Sequence, residues 1–373
     1  MTDRAYNFSA GPAVLPEPVI KQAQKDLFDF RGSGMGVCEL SHRGPEFDAI
    51  LAEAMAGCRE VGRVPDDWKI IFLQGGATTQ ADMIPMSFLT EGRTGDYINT
   101  GKWADDAIKE AKLVGKGNVN VAASTKELNY KRLPFDSEYT FSPDAHYCLY
   151  VSNNTIYGTR FAQPPKANGH LIADTSSEMY SRPIDYAPLS MIYAGAQKNL
   201  GPSGQALVLI RPDFLETAPK NALGRMWDYS IQADKESRFN TPNTFAIYLM
   251  SLTFQWIKNT FGTLEDVERF NNEKAKLIYD VIDGSEFFTG HVTETAHRSI
   301  MNIPFRAPSE ELDKLFLVEA EKQGLKTLAG HRSTGGMRAS IYNAMPVEGC
   351  QKLADFMKAF ERQHASKTTV ATG

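Results

Sequence analysis

The chain has 373 residues, 42% hydrophobic and 23% charged, with a formal net charge of -5 and a pI near 5.9. That length allows about two domains and a sizeable core, and the acidic balance excludes nucleic-acid binding as the default reading. The four cysteines, Cys38, Cys58, Cys148 and Cys350, lack metal-ligand spacing, which argues for a reducing compartment and no structural metal; without a signal-peptide core or an apolar run near the ~18 residues of a membrane span, a cytoplasmic location is expected.

Residues 1–16 read as an N-terminal arm, because Asn7-Phe-Ser-Ala-Gly-Pro-Ala-Val-Leu-Pro16 is rich in turn formers. Ser9 is turn chemistry on these residues alone. Apolar positions Val19, Ile20, Ala23, Leu27 and Phe30 predict a helix over Glu17–Phe30. The glycines of Arg31–Val37 follow that helix instead of a strand and lack the third Rossmann glycine, so a flexible loop is expected and not a dinucleotide site. Ser41-His42-Arg43-Gly44-Pro45 then opens a helix over Glu46–Val61. A His-Arg pair ahead of a helix N-terminus can bind an anion, although a solvated basic turn explains the same residues.

Trp68–Leu73 predicts a strand, followed by Gln74-Gly75-Gly76-Ala77-Thr78-Thr79-Gln80 and a helix through Leu89. Strand, glycines, hydroxyls and helix together present backbone N–H groups to a phosphate. No Walker lysine is present, so the single phosphate of a cofactor fits better than a nucleoside triphosphate. Asp96–Thr100 is the next strand, and Gly101-Lys102-Trp103 opens a helix to Val114. Trp103 is either packing or a ring that stacks on a ligand. Strands over Val119–Ala122 and Tyr147–Val151 follow, the second ending in the polar loop Ser152–Gly158.

His170–Asp174 and Met191–Gly195 are apolar runs of strand length, one ending on an aspartate and the other leading to Lys198 and the glycine turn Gly201–Gly204. In open α/β sheets ligands sit beyond the carboxyl ends of the strands. A carboxylate and an amine delivered there are what a pyridoxal 5'-phosphate (PLP) site needs: the lysine forms the Schiff base, and the aspartate, Asp174, keeps the pyridine nitrogen protonated. Either residue alone is better explained as a capping aspartate or a solvated lysine. Against that, Lys198 lies among small and apolar residues, where burial should lower its pKa.

Strand Gln205–Ile210 completes a βαβ-like half, and the repeated strand-then-helix order predicts a mainly parallel sheet. Beyond a looser segment ending in Ser237–Thr244, the pattern predicts helices over Phe245–Asn259 and from Gly262 to about Ile282. A strand over Met301–Phe305 and helices over Ser309–Gln323 and Val347–Gln363 follow. A second His-Arg pair, His331-Arg332, and a third arginine, Arg338, enter a strand beside Gly335-Gly336, which suggests anion recognition. The tail, residues 365–373, reads as disordered.

Taken together, Asn7–Pro12, Ser41–Gly44, Ala194–Asn199, Asn240-Thr241-Pro242 and Gly335–Ala344 resemble the phosphoserine aminotransferase family of class V aminotransferases, across nearly the whole chain. The resemblance implies the PLP-dependent fold type I: a large domain, 17–258, with a mainly parallel seven-stranded type of sheet between helices, and a smaller C-terminal α+β domain, 259–373. It implies that Lys198 holds PLP, Asp174 pairs with the ring nitrogen, Trp103 stacks on the ring and Thr155 lies near its phenolic oxygen. Ala77, Thr78 and Gln197 would contact the cofactor phosphate, joined by Asn240 and Thr241 from the other subunit of a homodimer. His42, Arg43, His331 and Arg332, with Ser9, match the substrate-phosphate site, and Arg338 matches the arginine for the α-carboxylate. The implied reaction is reversible transamination of O-phospho-L-serine with 2-oxoglutarate in serine biosynthesis, with a phosphorylated threonine analogue of vitamin B6 synthesis left open. Many members carry a third glycine and then an arginine or another residue where this chain has Ala77-Thr78, so one charge is absent from that loop. Two other readings compete: another class V enzyme, of alanine-glyoxylate aminotransferase or cysteine desulfurase type, and a catalytically silent anion-binding protein on the same scaffold.

Overall fold

The computed structural model describes residues 4–220 and 223–368. The arm is tied down from its start: Tyr6–Asn7 form a short strand, β1, and Phe8 beside it is fully buried. Helix α1 (Glu17–Asp26) ends four residues before the expected Phe30. The carbonyl of Asp26, which Phe30 N–H would have taken, accepts instead from Val37 N at 2.8 Å, while Phe30 N donates to Met35 O at 2.8 Å. The glycine segment after α1 is therefore a hydrogen-bonded turn and not a slack loop, and Phe30 still reaches the core.

Helix α2 (Pro45–Gly62), strand β2 (Lys69–Gln74), α3 (Gly76–Phe88), β3 (Thr94–Asn99), α4 (Lys102–Val114) and β4 (Asn118–Ser124) follow in alternation. Then come β5 (Tyr147–Val151), β6 (His170–Asp174), β7 (Leu189–Gly195) and β8 (Gln205–Ile210). These eight-strand labels include seven that make one sheet, in the order β2-β8-β7-β6-β5-β3-β4. All neighbours pair in parallel except β8, which is antiparallel to both β2 and β7. The expected βαβ step at Gln205–Ile210 is thus a hairpin, because the nine residues from Ala196 to Gly204 turn the chain back and are too few for a helical crossover. Strands β5, β7 and β8 are buried at every residue, as expected of a sheet covered on both faces.

Short helices α5 (Pro212–Leu215) and α6 (Tyr229–Asp234) precede the long α7 (Thr244–Phe261) and α8 (Leu264–Asp283). Asn243 and Thr263 cap α7 and α8 with their side chains, accepting from Ala246 N at 3.1 Å and Asp266 N at 3.2 Å; such caps are worth about 1 kcal/mol. Helix α8 starts against the large core through Leu264 and Val267 and ends in a second core through Ile278 and Ile282. That second core is completed by β9 (Thr289–Gly290), β10 (Asn302–Arg306), α9 (Glu310–Lys322), β11 (Leu325–Lys326), β12 (Met337–Ser340) and α10 (Val347–Thr368). Strands β12, β10 and β9 form an antiparallel sheet, and β11 pairs in parallel with β1. Phe316 sits at its centre with no exposed surface, a burial worth roughly 1.5–3 kcal/mol. Helix α10 continues to Thr368, past the expected onset of a disordered tail at Ala365; residues 369–373 lie outside the described residues. Among the described residues no helix is long and apolar enough to cross a membrane.

Candidate active site

The carboxyl ends of β6 and β7 bring two charges to one place. Asp174 is the last residue of β6 and lies opposite Tyr193 of β7. Lys198 follows β7 by three residues, on a turn closed by Ala196 N donating to Gln205 O at 2.8 Å and Gly201 N to Ala196 O at 2.8 Å. Its side chain is 8% exposed, and Nζ donates to Thr155 Oγ1 at 2.7 Å. Burial pushes its pKa down to about 8, helped by Arg338 and opposed by Asp174. The Asp174 carboxyl is raised by burial and opposed by Lys198 and by Ser176, whose backbone N donates to Oδ1 at 2.9 Å. The fall expected for Lys198 from its apolar neighbours is present, and the cause is desolvation.

The N-terminus of α3 faces the same space. Gly75 and Gly76 both adopt left-handed backbone, φ 91° and 66°, and no side chain caps the helix. A Cβ on Gly75 would stand 1.7 Å from Thr79 Oγ1, so only glycine allows this turn. Uncapped N–H groups at a helix start form a ready anion site, with the helix dipole favouring negative charge. Ala77 and Thr78 therefore supply backbone donors to that site without a side-chain charge.

These parts enclose a cavity of about 510 Å³ lined by Ala77, Thr78, Trp103, Asp174, Gln197 and Lys198. Trp103 presents its ring 5.7 Å from Lys198 Nζ. The N-terminal arm forms one wall through Gly11 and Pro12 and is held there by Ala13 N donating to Gln197 O at 2.8 Å and by Tyr342 OH donating to Ala10 O at 2.7 Å. Ser176, Tyr193 and Ser203 also line it. Sequence reasoning passed over these; the signals were positional, Ser176 lying two residues after Asp174 and Tyr193 opposite it in the adjacent strand. Asp106 and Glu110 lie in the wall three and seven residues after Trp103, on the same face of α4.

Arg338 of β12 reaches over from the smaller sheet. Its Nη1 donates to Thr155 O at 3.2 Å, while Nε is buried with no acceptor among the described residues. An unmet guanidinium N–H next to the cavity is a receptor for a carboxylate. His331 is half-buried, and its pKa is lowered by burial and then by Arg338, Arg332 and Lys102, which places it beside Arg338. Its Nδ1 lies 2.8 Å from Ser333 Oγ. Arg332 is exposed.

The remaining sequence candidates are elsewhere on this chain. His42 and Arg43 sit ahead of α2, Arg43 exposed, and like His331 and Arg332 they are absent from the cavity lining. Asn240 and Thr241 are likewise absent from its lining, although Gln74 Nε2 donates to Thr241 O at 3.1 Å. An ion pair between Arg238 and Asp48 ties the segment just before Asn240 and Thr241 to α2, the helix that His42 and Arg43 precede. Ser9 Oγ accepts from Gly11 N at 3.4 Å, a turn bond within the arm.

An anion cup, a carboxylate deep between strands, an exposed indole and a buried amine fit a flat, phosphorylated pyridine aldehyde. Residues 5–353 match the aminotransferase class-V family. The chain is 47% identical to the phosphoserine aminotransferase of Desulfosudis oleivorans over 97% of this chain and 99% of that protein. It superposes on the phosphoserine aminotransferase of Bacillus circulans subsp. alkalophilus with a TM-score of 0.93 at 45% identity, covering 97% of this chain and 100% of that one. The PLP-bound phosphoserine aminotransferase of Trichomonas vaginalis matches with a TM-score of 0.91 at 39% identity, over 95% and 100% of the two chains. With its fold, its lysine and its full-length relatives in agreement, the chain belongs to the class-V aminotransferases.

Proposed function

We propose that this protein is a phosphoserine aminotransferase, which moves the amino group of O-phospho-L-serine to 2-oxoglutarate to give 3-phosphooxypyruvate and L-glutamate in serine biosynthesis. The observation that carries the reading is the buried Lys198 amine, lowered to about 8 and set in one cavity with Asp174; the substrate follows from the relatives of 39 to 47% identity that bear that name.

PLP, when bound, supplies an electron sink for the pair released as the substrate Cα–H bond breaks. In our reading Lys198 holds the cofactor, the backbone donors of Ala77 and Thr78 with Gln197 hold its phosphate, Trp103 covers the ring, and Thr155 lies by its phenolic oxygen. Asp174 keeps the ring nitrogen protonated, which its burial supports, since a positive ring is the partner a buried carboxylate needs. Once displaced by substrate, Lys198 takes the proton from Cα and delivers it on the cofactor side as general base and then acid. A pKa near 8 leaves roughly 20% of the amine neutral at pH 7.4, against about 0.1% for an ordinary lysine. Arg338 takes the α-carboxylate common to both amino acids. His42, Arg43, His331 and Arg332, with Ser9, receive the phosphate of one substrate or the γ-carboxylate of the other.

Because none of His42, Arg43, Asn240 and Thr241 lines the cavity of its own chain, we read the active unit as a homodimer in which each subunit lends these residues to the other. The expected location is the cytoplasm. The desulfurase reading is disfavoured because Cys58, Cys148 and Cys350 are buried and the exposed Cys38 does not line the reaction cavity, the Cys58 and Cys350 thiols being pushed up to about 12 by burial.

A substrate panel with the purified protein tests the reading. Phosphoserine with 2-oxoglutarate should give the highest kcat/KM, ahead of alanine with glyoxylate and of sulfur release from cysteine. A reversal of that order favours another class-V activity, and a coloured protein with no turnover favours the silent binding protein.

A further inference from the structure

A second cavity, of about 490 Å³, lies behind the segment that carries Asp174. Asp174 and Ser176 line the reaction cavity, whereas Thr175 between them lines this one. Arg160, Glu178, Arg182, Asp185 and Glu268 share its wall. Arg182 is fully engaged: it donates from Nε and Nη2 to Glu178 at 3.2 and 3.1 Å, and to the carbonyls of Ala162 and Phe161 at 2.6 and 2.7 Å. Arg160 is not. Its Nε and Nη1 are sealed from solvent and meet no acceptor among the described residues, and Nη2, which is not sealed, makes no hydrogen bond among them either.

Arginine stays charged, so a buried guanidinium without an acceptor calls for one from outside the chain. Glu178 and, more weakly, Glu268 act on Arg160 through space, but the oxygens of Glu178 are taken by Arg182 and neither carboxylate hydrogen-bonds to Arg160. Half-buried Glu268 of α8 and exposed Asp185 have no ion-pair partner among the described residues. The cavity thus combines in its wall one guanidinium without a hydrogen-bond acceptor and two carboxylates without an ion-pair contact among the described residues. We infer that it binds a small α-amino acid as the zwitterion, with the carboxylate on Arg160 and the ammonium toward Glu268 or Asp185. A bare anion would meet those carboxylates, and a bare cation would leave Arg160 unpaired.

The site is coupled to the reaction cavity by backbone. Ser152, also in its wall, donates from N and Oγ to the carbonyl of Asp174 at 2.9 and 3.0 Å, and Thr175 N donates to Tyr193 O at 2.9 Å. A bound amino acid therefore bears on the segment that aims Asp174, while Glu268 ties it to α8. The site does not depend on which amino acid the enzyme transaminates.

Equilibrium dialysis of radiolabelled glycine against the PLP-bound enzyme tests it. The parent should hold one glycine per chain more than Arg160→Gln and Glu268→Gln, in which binding at this site weakens at least tenfold. L-Serine should displace that glycine better than acetate or ethanolamine at equal concentration. Neither residue lies in the reaction cavity, so kcat without glycine should stay within twofold of the parent. An equal count in parent and variants, or displacement by acetate as effective as by L-serine, overturns the proposal. Thermal melts report the fold, and if Arg160→Gln does not fold, Glu268→Gln decides alone. Failure of the phosphoserine reading would appear separately, as absent turnover in the substrate panel with the glycine count unaffected.

Discussion

Lys198 with Asp174, and the two His-Arg pairs, contrast in how the fold treats them. Asp174 ends β6 and Lys198 sits on the turn three residues past the adjacent strand β7, so the sheet and that turn set their separation, and desolvation is the main cause of both pKa shifts. His42-Arg43 and His331-Arg332 stand on loops, both arginines exposed, and neither pair lines the reaction cavity. The difference teaches that Lys198 and Asp174 are held by buried elements of one chain, where misplacement would be costly, while the cations that choose the substrate in the proposed function are long and solvated, and a second subunit would have to help bring them together.

The sharpest break in that comparison comes at the strand ends. Lys198→Ala should lower kcat by roughly a thousandfold or more, since both the cofactor link and the proton carrier are lost. Asp174→Asn should retain some PLP yet lose about a hundredfold in kcat, because a neutral partner no longer holds the ring nitrogen charged. Steady-state rates with phosphoserine, alongside the visible absorbance of bound cofactor, check both; near-parental turnover in either variant would remove that residue from its assigned role.

Arg338→Ala tests the arginine that sits between the two regions. Loss of a charge-assisted hydrogen bond costs roughly 1.5–3 kcal/mol, or about ten- to a hundredfold in kcat/KM. The loss should fall on phosphoserine and glutamate alike, because they share the α-carboxylate. A loss confined to one of them would contradict the assignment.

Arg332→Ala and Arg43→Ala should each lose about ten- to a hundredfold in kcat/KM for phosphoserine and less for glutamate, since a doubly charged phosphate gains more from several cations. Cofactor absorbance and melting temperature should not change, as both side chains are exposed. Equal losses for the two substrates would leave the His-Arg pairs without a role in choosing between them.

The smallest expected effect is on pH dependence. A free amine captures an aldehyde only when neutral, so cofactor uptake by the stripped protein should accelerate about tenfold per pH unit up to a midpoint near 8 and then level. The apparent value belongs to Lys198 and Asp174 together. Linkage has a definite sign. Between pH 8 and the ordinary lysine value of 10.5 the unfolded chain holds a proton that the cofactor-free folded chain does not. Stability of the stripped protein should therefore rise with pH across that window, and below 8 the full destabilisation remains. Stopped-flow absorbance and denaturant melts from pH 6 to 10 measure both, and a flat uptake profile would mean that Lys198 is not the titrating amine.

What was legible in the sequence was local. Period and length marked β5, β6 and β8 to the residue, the glycines marked the uncapped start of α3, and a lysine among small residues announced its own lowered pKa, since each of these depends on neighbours a few positions away. The tertiary structure decided what depends on distant contacts. Helix α1 stops at Asp26 because Val37 takes its last carbonyl, β8 runs backwards because nine residues cannot cross over, and Gly11 and Pro12 wall the cavity because the arm is bound to Gln197 and Tyr342. Arg160 reads as an ordinary charged residue in the sequence, and only packing reveals that two of its nitrogens are buried without an acceptor. Which atoms of a polar side chain end up sealed without a partner is set by distant elements of the enclosing fold, and the residues next to Arg160 in the chain do not encode it.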